Sequence, residues 1–232
     1  MDSIHQLLNI IRKSGFITGA SSGIGEHVAY EYARKGARLA LVARREIVLA
    51  QSPIISPARF TGCSNRSCRC FETGRLQNHH RQSCRVLRMP DHLVSNAGIV
   101  QLSMFEDLTQ ISDFDRIMST NFWGSVYGTH FAVPHLRKNK GKIIVIASIA
   151  DGFLFQNTAS TIKGSANQLY ETLRVEFGSD IGITIAMPGL IYTDLVLQQS
   201  YTSEVQIDFV RVHQQKDVPS RLWQAFAVEM HT

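Results

Sequence analysis

The sequence predicts an α/β domain built on a doubly wound parallel sheet. Three observations carry that reading. Short apolar runs alternate along the chain with amphipathic helical patterns, which is the signature of strands joined by helical crossovers. The runs are near-continuous, as strands covered on both faces require: residues 37–43 read Ala-Arg-Leu-Ala-Leu-Val-Ala and residues 142–148 read Lys-Ile-Ile-Val-Ile-Ala-Ser. A glycine-rich turn, Thr18 to Gly25, stands between the first strand and the first helix, which makes the opening a βαβ unit.

The elements follow in order. Phe16 to Thr18 ends a strand. Ile24 to Lys35 is helical, with Val28, Ala29, Tyr32 and Ala33 on one face and Gly36 placed to close it. Ala37 to Ala43 is the second strand. His92 to Ser95 ends another, running into Asn96-Ala97-Gly98. Asp113 to Leu136 reads as one long helix, with Phe114, Ile117, Met118 and Phe122 on one face and Pro134 near its end. Lys142 to Ser148 is the clearest buried strand, Lys163 to Phe177 an amphipathic helix stopped at Gly178, and Ile183 to Met187 a last strand stopped by Pro188-Gly189. The pattern predicts a sheet of Rossmann type.

At 232 residues the chain is long enough for one large domain with a real core. Hydrophobic content of 44% against 19% charged residues excludes a wholly disordered chain. No apolar run is long enough to span a bilayer, and the residues around Leu7 to Ile11 do not make a signal peptide. The net charge is +5. It is concentrated: residues 52–90 hold seven arginines, one acid (Glu72), no lysine and all four cysteines, so that stretch carries +6 and the remainder −1. The expected division is therefore an N-terminal remnant at 1–14, a dinucleotide-binding domain at 15–200 containing an atypical insert at 52–90, and a C-terminal tail at 201–232.

The chemistry concentrates in the turn Thr18-Gly19-Ala20-Ser21-Ser22-Gly23-Ile24-Gly25. Glycines let backbone approach a pyrophosphate, and the helix that follows offers N–H donors and the positive end of its dipole. The bland alternative is an ordinary tight βα turn. Arg44 and Arg45 follow the second strand where an NAD site wants an acid for the ribose 2′-OH. A guanidinium suits a 2′-phosphate instead, which favours NADP(H); the alternative is a solvated basic pair, and Glu46 tempers the argument.

The glycine turn, Ser95-Asn96-Ala97-Gly98, Asn121, Ser148, Lys163 and Pro188-Gly189 together resemble the short-chain dehydrogenase/reductase pattern. More narrowly, residues 26–34, 121–127 and 171–185 resemble plant steroleosins, the 11-β-hydroxysteroid dehydrogenase-like proteins of oil bodies. The resemblance implies an NADP(H)-linked oxidoreductase that interconverts hydroxyl and ketone on a sterol-like small molecule. It implies that Thr18, Gly19, Ser21, Ser22, Gly23, Ile24 and Gly25 hold the pyrophosphate, and that Arg44, with Arg45 beside it, holds the 2′-phosphate. Asn96, Ala97 and Gly98 would line the adenosine side, Pro188 and Gly189 would belong to the cofactor site, and Thr193 would bond the nicotinamide carboxamide. The implied catalytic set is Ser148 on the substrate oxygen, Lys163 on the nicotinamide ribose, and Asn121 holding a relay water. The family also implies a homodimer formed through the two long helices.

The pattern breaks in three places. The family's general-acid tyrosine stands four residues before the lysine; that position is Ala159, and the interval from Ser148 to Lys163 is about two residues short. Ser160 and Thr161 carry hydroxyls far less acidic than a phenol, so weak or absent turnover is expected. Alternatively, the chain is an inactive relative that binds dinucleotide or lipid, or a defective gene product. Second, residues 52–90 replace what should be a helix, the third strand and another helix, and their composition resembles translation in a shifted frame restored at Asp91. A zinc module from Cys63, Cys68, Cys70, His79, His80 and Cys84 matches no common ligand spacing, so no metal is expected, and sparse aromatics argue against a nucleic-acid partner. A disordered or poorly packed surface insert with reduced thiols is the expectation. Third, only Met1 to Ser14 precede the first strand, where the family carries a membrane anchor. Membrane or oil-body association is expected to be weak or lost, with a cytoplasmic location the alternative to the family's oil body or endoplasmic reticulum.

Overall fold

The computed structural model describes residues 13–43, 60–62, 90–99, 112–147 and 158–188. Six strands form one sheet: β1 (Ser14–Thr18), β2 (Arg38–Val42), β3 (Phe60–Gly62), β4 (His92–Ser95), β5 (Lys142–Ile146) and β6 (Gly182–Ala186). Their order is β3-β2-β1-β4-β5-β6 and every pairing is parallel. The helices are α1 (Gly23–Arg34), α2 (Ser112–Ile117), α3 (Gly124–Asn139) and α4 (Thr158–Phe177), with a π-helical turn, Met118–Trp123, joining α2 to α3.

Side chains alternate across a strand, and here both faces are apolar. Ile17, Leu39, Leu41, Val94 and Ile144 pack with Val28, Ala29 and Tyr32 of α1. Their neighbours Phe16, Ala40, Leu93, Ile143 and Val145 pack on the opposite face with Leu136 of α3 and Tyr170 and Phe177 of α4. Full burial of such a side chain is worth roughly 1.5–3 kcal/mol, so the alternation through β1, β2, β4 and β5 is what fastens helices to both faces. Gly36, at φ 75, follows α1 and donates its N–H to the Ala33 carbonyl.

The structure adjusts several expected bounds. β1 opens at Ser14, a residue expected to precede it, and β5 ends at Ile146 rather than Ser148, although the Ala147 N–H still donates to Ala186. α4 opens at Thr158 instead of Lys163. The single long helix is corrected to two α-helices and the π turn, with Pro134 exposed inside α3, where it leaves one carbonyl a turn earlier without its intrahelical donor. Residues 52–90 do not wholly replace the third strand. Phe60–Gly62 pairs with Leu39, Ala40 and Leu41 at the sheet edge; an aromatic and a β-branched residue beside a glycine suffice for a three-residue edge strand. Among the described residues, no helix is long and apolar enough to cross a membrane.

Candidate functional site

The sheet order reverses direction between β1 and β4, and open α/β sheets form their ligand crevice outside the carboxyl ends of the strands at such a point. There the chain segments after β1 and β4 interlock. The Thr18 hydroxyl donates to the Val94 carbonyl (3.2 Å) and accepts the N–H groups of Asn96 (3.0 Å) and Ala97 (3.1 Å). Asn96 answers with its amide, donating to the carbonyls of Thr18 (3.0 Å) and Gly19 (3.2 Å). The threonine oxygen thereby uses its one donor and both acceptor positions. Ala20 N–H donates to Val42 (3.3 Å), which ties the turn to β2 as well.

Two glycines are required by this packing. Gly19 sits at φ +64, and a Cβ there would stand 2.8 Å from the Ala97 Cα. A Cβ on Gly25 would stand 2.4 Å from the Gly19 carbonyl oxygen. Backbone thus lies directly on backbone, and the start of α1 is drawn against the turn. Gly23 is buried, while Ser21, Ser22 and Ile24 are half-buried. Ser22 places no side-chain hydrogen bond on the first turn of α1; the His27 ring donates from Nδ1 to the Gly23 carbonyl at 2.9 Å. A small-residue cradle facing a helix N-terminus fits a phosphate-bearing ligand held by backbone donors.

Asn121 lies in the π turn and is buried. Its side chain is bonded at both ends to one residue: Oδ1 accepts from the Ile99 N–H and Nδ2 donates to the Ile99 carbonyl, each at 2.9 Å. Its own carbonyl accepts from the Ser125 hydroxyl (3.0 Å), which in turn accepts from Ser95 Oγ (3.2 Å). The Asn121 side chain is thus a clamp on the chain leaving β4. π turns of this kind recur at functional sites.

The structure thus brings together Thr18, Gly19, Gly25, Asn96 and Ala97. Gly98 follows them, and Asn121 joins through Ile99. Lys163 is placed by its backbone in α4, one turn after Ala159, and half-buried Pro188 follows β6. Arg44, Arg45, Ser148, Gly189 and Thr193 lie outside the described residues, as do the six candidate zinc ligands. Sequence reasoning missed Ser125, although its i+4 spacing from Asn121 was the available signal. Nothing local pointed to Ile99.

A model of the short-chain dehydrogenases matches residues 13–204. The chain belongs to the short-chain dehydrogenase family. Within this family it is similar to an 11-beta-hydroxysteroid dehydrogenase-like protein of Arabidopsis thaliana, at 48% identity over 204 residues, covering 82% of this chain and 63% of that protein. The chain spans less than two thirds of the length of the curated relatives it matches. Among solved structures, a short-chain type dehydrogenase/reductase from Mycobacterium marinum superposes with a TM-score of 0.80 at 26% identity, covering 99% of this chain and 94% of that one. An alcohol dehydrogenase from Thermococcus sibiricus, complexed with 5-hydroxy-NADP, reaches 0.74 at 20% identity over 93% of this chain and 90% of that one, a likeness of fold.

Proposed function

We propose that this short-chain dehydrogenase binds NADP(H) in the crevice between β1 and β4 and acts on a hydroxyl or ketone of a sterol-like small molecule, with turnover impaired by Ala159. The observation that carries the reading is the interlock of Thr18–Gly19 with Asn96–Ala97 against Gly25, a cradle that a Cβ would fill. The preference for NADP(H) rests on Arg44 and Arg45, which follow the carboxyl end of β2. The substrate class rests on the names of the relatives.

When bound, the nicotinamide supplies or takes the hydride. The chain's own residues do the rest. Lys163 holds the ribose, Ser148 bonds the substrate oxygen, Thr193 bonds the carboxamide, and the Asn121 turn keeps the floor of the site in register. Where the family carries the phenol that moves the proton at that oxygen, this chain has Ala159. Loss of a general acid typically costs 10²–10⁴-fold, and this favours the second reading, a relative that binds dinucleotide without turning it over. A homodimer through α3 and α4 belongs to the same proposal, supported by the exposed Trp123 before α3 and Val175 on α4.

Titrating the chain with NADPH and NADH while following thermal unfolding tests the cofactor reading. Ligand at 100 times its Kd adds about 2.7 kcal/mol to stability, and the expected rise in Tm is larger for NADPH. No rise with either cofactor overturns it. Ala159→Tyr then separates the two readings: recovered carbonyl reduction identifies an impaired enzyme, and cofactor binding without turnover identifies a binding protein.

A further inference from the structure

Tyr170, on α4, is fully buried between that helix, α3 and the sheet. Packing alone would be served by phenylalanine, and burying a phenol hydroxyl costs free energy unless it is hydrogen-bonded. Here the hydroxyl shares a hydrogen bond with Thr129 Oγ1 of α3 at 3.0 Å and makes a long contact, 3.5 Å, to the Ser125 carbonyl. Ser125 is also the residue whose side chain joins Ser95 of β4 to the Asn121 carbonyl. One residue therefore receives α4 through its backbone and the floor of the crevice through its side chain. Lys163 stands on the same helix, seven residues or close to two turns before Tyr170.

We infer that Tyr170 is a positioning residue: its hydroxyl sets the register of α4, and so the backbone of Lys163, against the Asn121 turn. The inference rests on the proposed contact of Lys163 with the nicotinamide half of the cofactor. The alternative is a core tyrosine whose hydroxyl is satisfied and does nothing more. The two differ in where the effect of its loss appears. A shift of α4 touches ligands that reach Lys163 and spares those that end at the glycine turn.

The test is calorimetric titration of the full chain and Tyr170→Phe with NADPH and with 2′,5′-ADP, which lacks the nicotinamide half. Tyr170→Phe is expected to raise the Kd for NADPH about three- to tenfold, the worth of one buried hydrogen bond, and to leave that for 2′,5′-ADP unchanged. Wild-type binding of NADPH tighter than 2′,5′-ADP, with the ratio of the two Kd values unaltered in Tyr170→Phe, overturns the positioning role and leaves the cofactor reading intact, whatever happens to Tm. Wild-type binding of NADPH no tighter than the fragment overturns both. Thr129→Val removes the hydroxyl's partner while keeping the tyrosine, and it must shift the same ratio in the same direction; it also decides the question if Tyr170→Phe does not fold.

Discussion

The two ends of the β1–β4 pair are fastened by the same device in different chemistry. At the carboxyl end, Thr18 and Asn96 use neutral side chains to hold backbone, and the Ser95 hydroxyl donates to that of Ser125. At the amino end the fastener is ionic. Asp91 Oδ2 accepts from the Ser14 N–H and the Ser14 hydroxyl, both at 2.8 Å, and Oδ1 lies 3.7 Å from Lys13 Nζ. The Asp91 carbonyl takes the Lys142 N–H at 2.9 Å, which carries the staple across to β5. Beside it, His92 is buried with its Nδ1 2.9 Å from the hydroxyl of Tyr32, whose own ionisation burial suppresses. The difference lies in where this strand pair places its ionisable fasteners. Asp91, Lys13 and His92 stand at the end remote from the crevice, and the interlock at the other end can receive an anionic ligand without a carboxylate of its own.

The largest effect expected from breaking this contrast is at Asp91. Asp91→Ala removes the carboxylate that the Ser14 donors and Lys13 share, and hydrogen bonds to a charged acceptor are worth about 1.5–3 kcal/mol each. A loss of about 3 kcal/mol in urea unfolding is expected; a loss below about 1 kcal/mol would show that the staple is ornamental. Acid probes the same end. Burial, aided by the Lys142 charge, holds the His92 pKa down at about 4, with Asp91 opposing and Lys13 adding slightly. Between about pH 6.5 and 4 the unfolded chain binds the proton and the folded chain does not, so this contribution is complete above pH 6.5 and declines as pH falls toward 4. The decline is about 3 kcal/mol over the window, and His92→Gln is expected to flatten it; an unchanged slope in that variant would place the acid sensitivity elsewhere. The smallest effect on stability is expected at the neutral end. Asn96→Ala removes two amide bonds, about 2 kcal/mol, but loosens Gly19, so NADPH affinity falls together with Tm. A variant that loses stability and keeps its affinity would separate the interlock from the site.

Much of this was legible in the sequence because it is local. Continuous apolar runs announced β2 and β5, and the glycine turn announced the crevice, since a strand, a turn and a helix in succession fix each other's geometry. The Asn96 motif announced its own place, but not that its amide would reach back to Thr18 and Gly19, 77 or more residues away. The π turn was illegible because its apolar spacing, Phe114 to Phe122, reads equally well as an unbroken helix. Phe60–Gly62 was hidden by the basic, cysteine-bearing residues around it, for composition reports an average and a three-residue edge strand needs only three positions.

The pairing of β1 with β4 also says how the unusual segment can be tolerated. Ser14 bonds to Asp91 across 77 positions of chain, and residues 52–90 lie wholly within the loop which that contact closes. Closure entropy grows only with the logarithm of loop length, about 0.6 kcal/mol for each doubling. Shortening or lengthening the chain between Gly62 and Pro90 by ten residues would therefore change the entropic cost of joining the sheet's centre by only about 0.1–0.2 kcal/mol. On that count the core is nearly indifferent to how many residues the segment contains, and the three rungs at Phe60–Gly62 are the described part of it that the sheet uses.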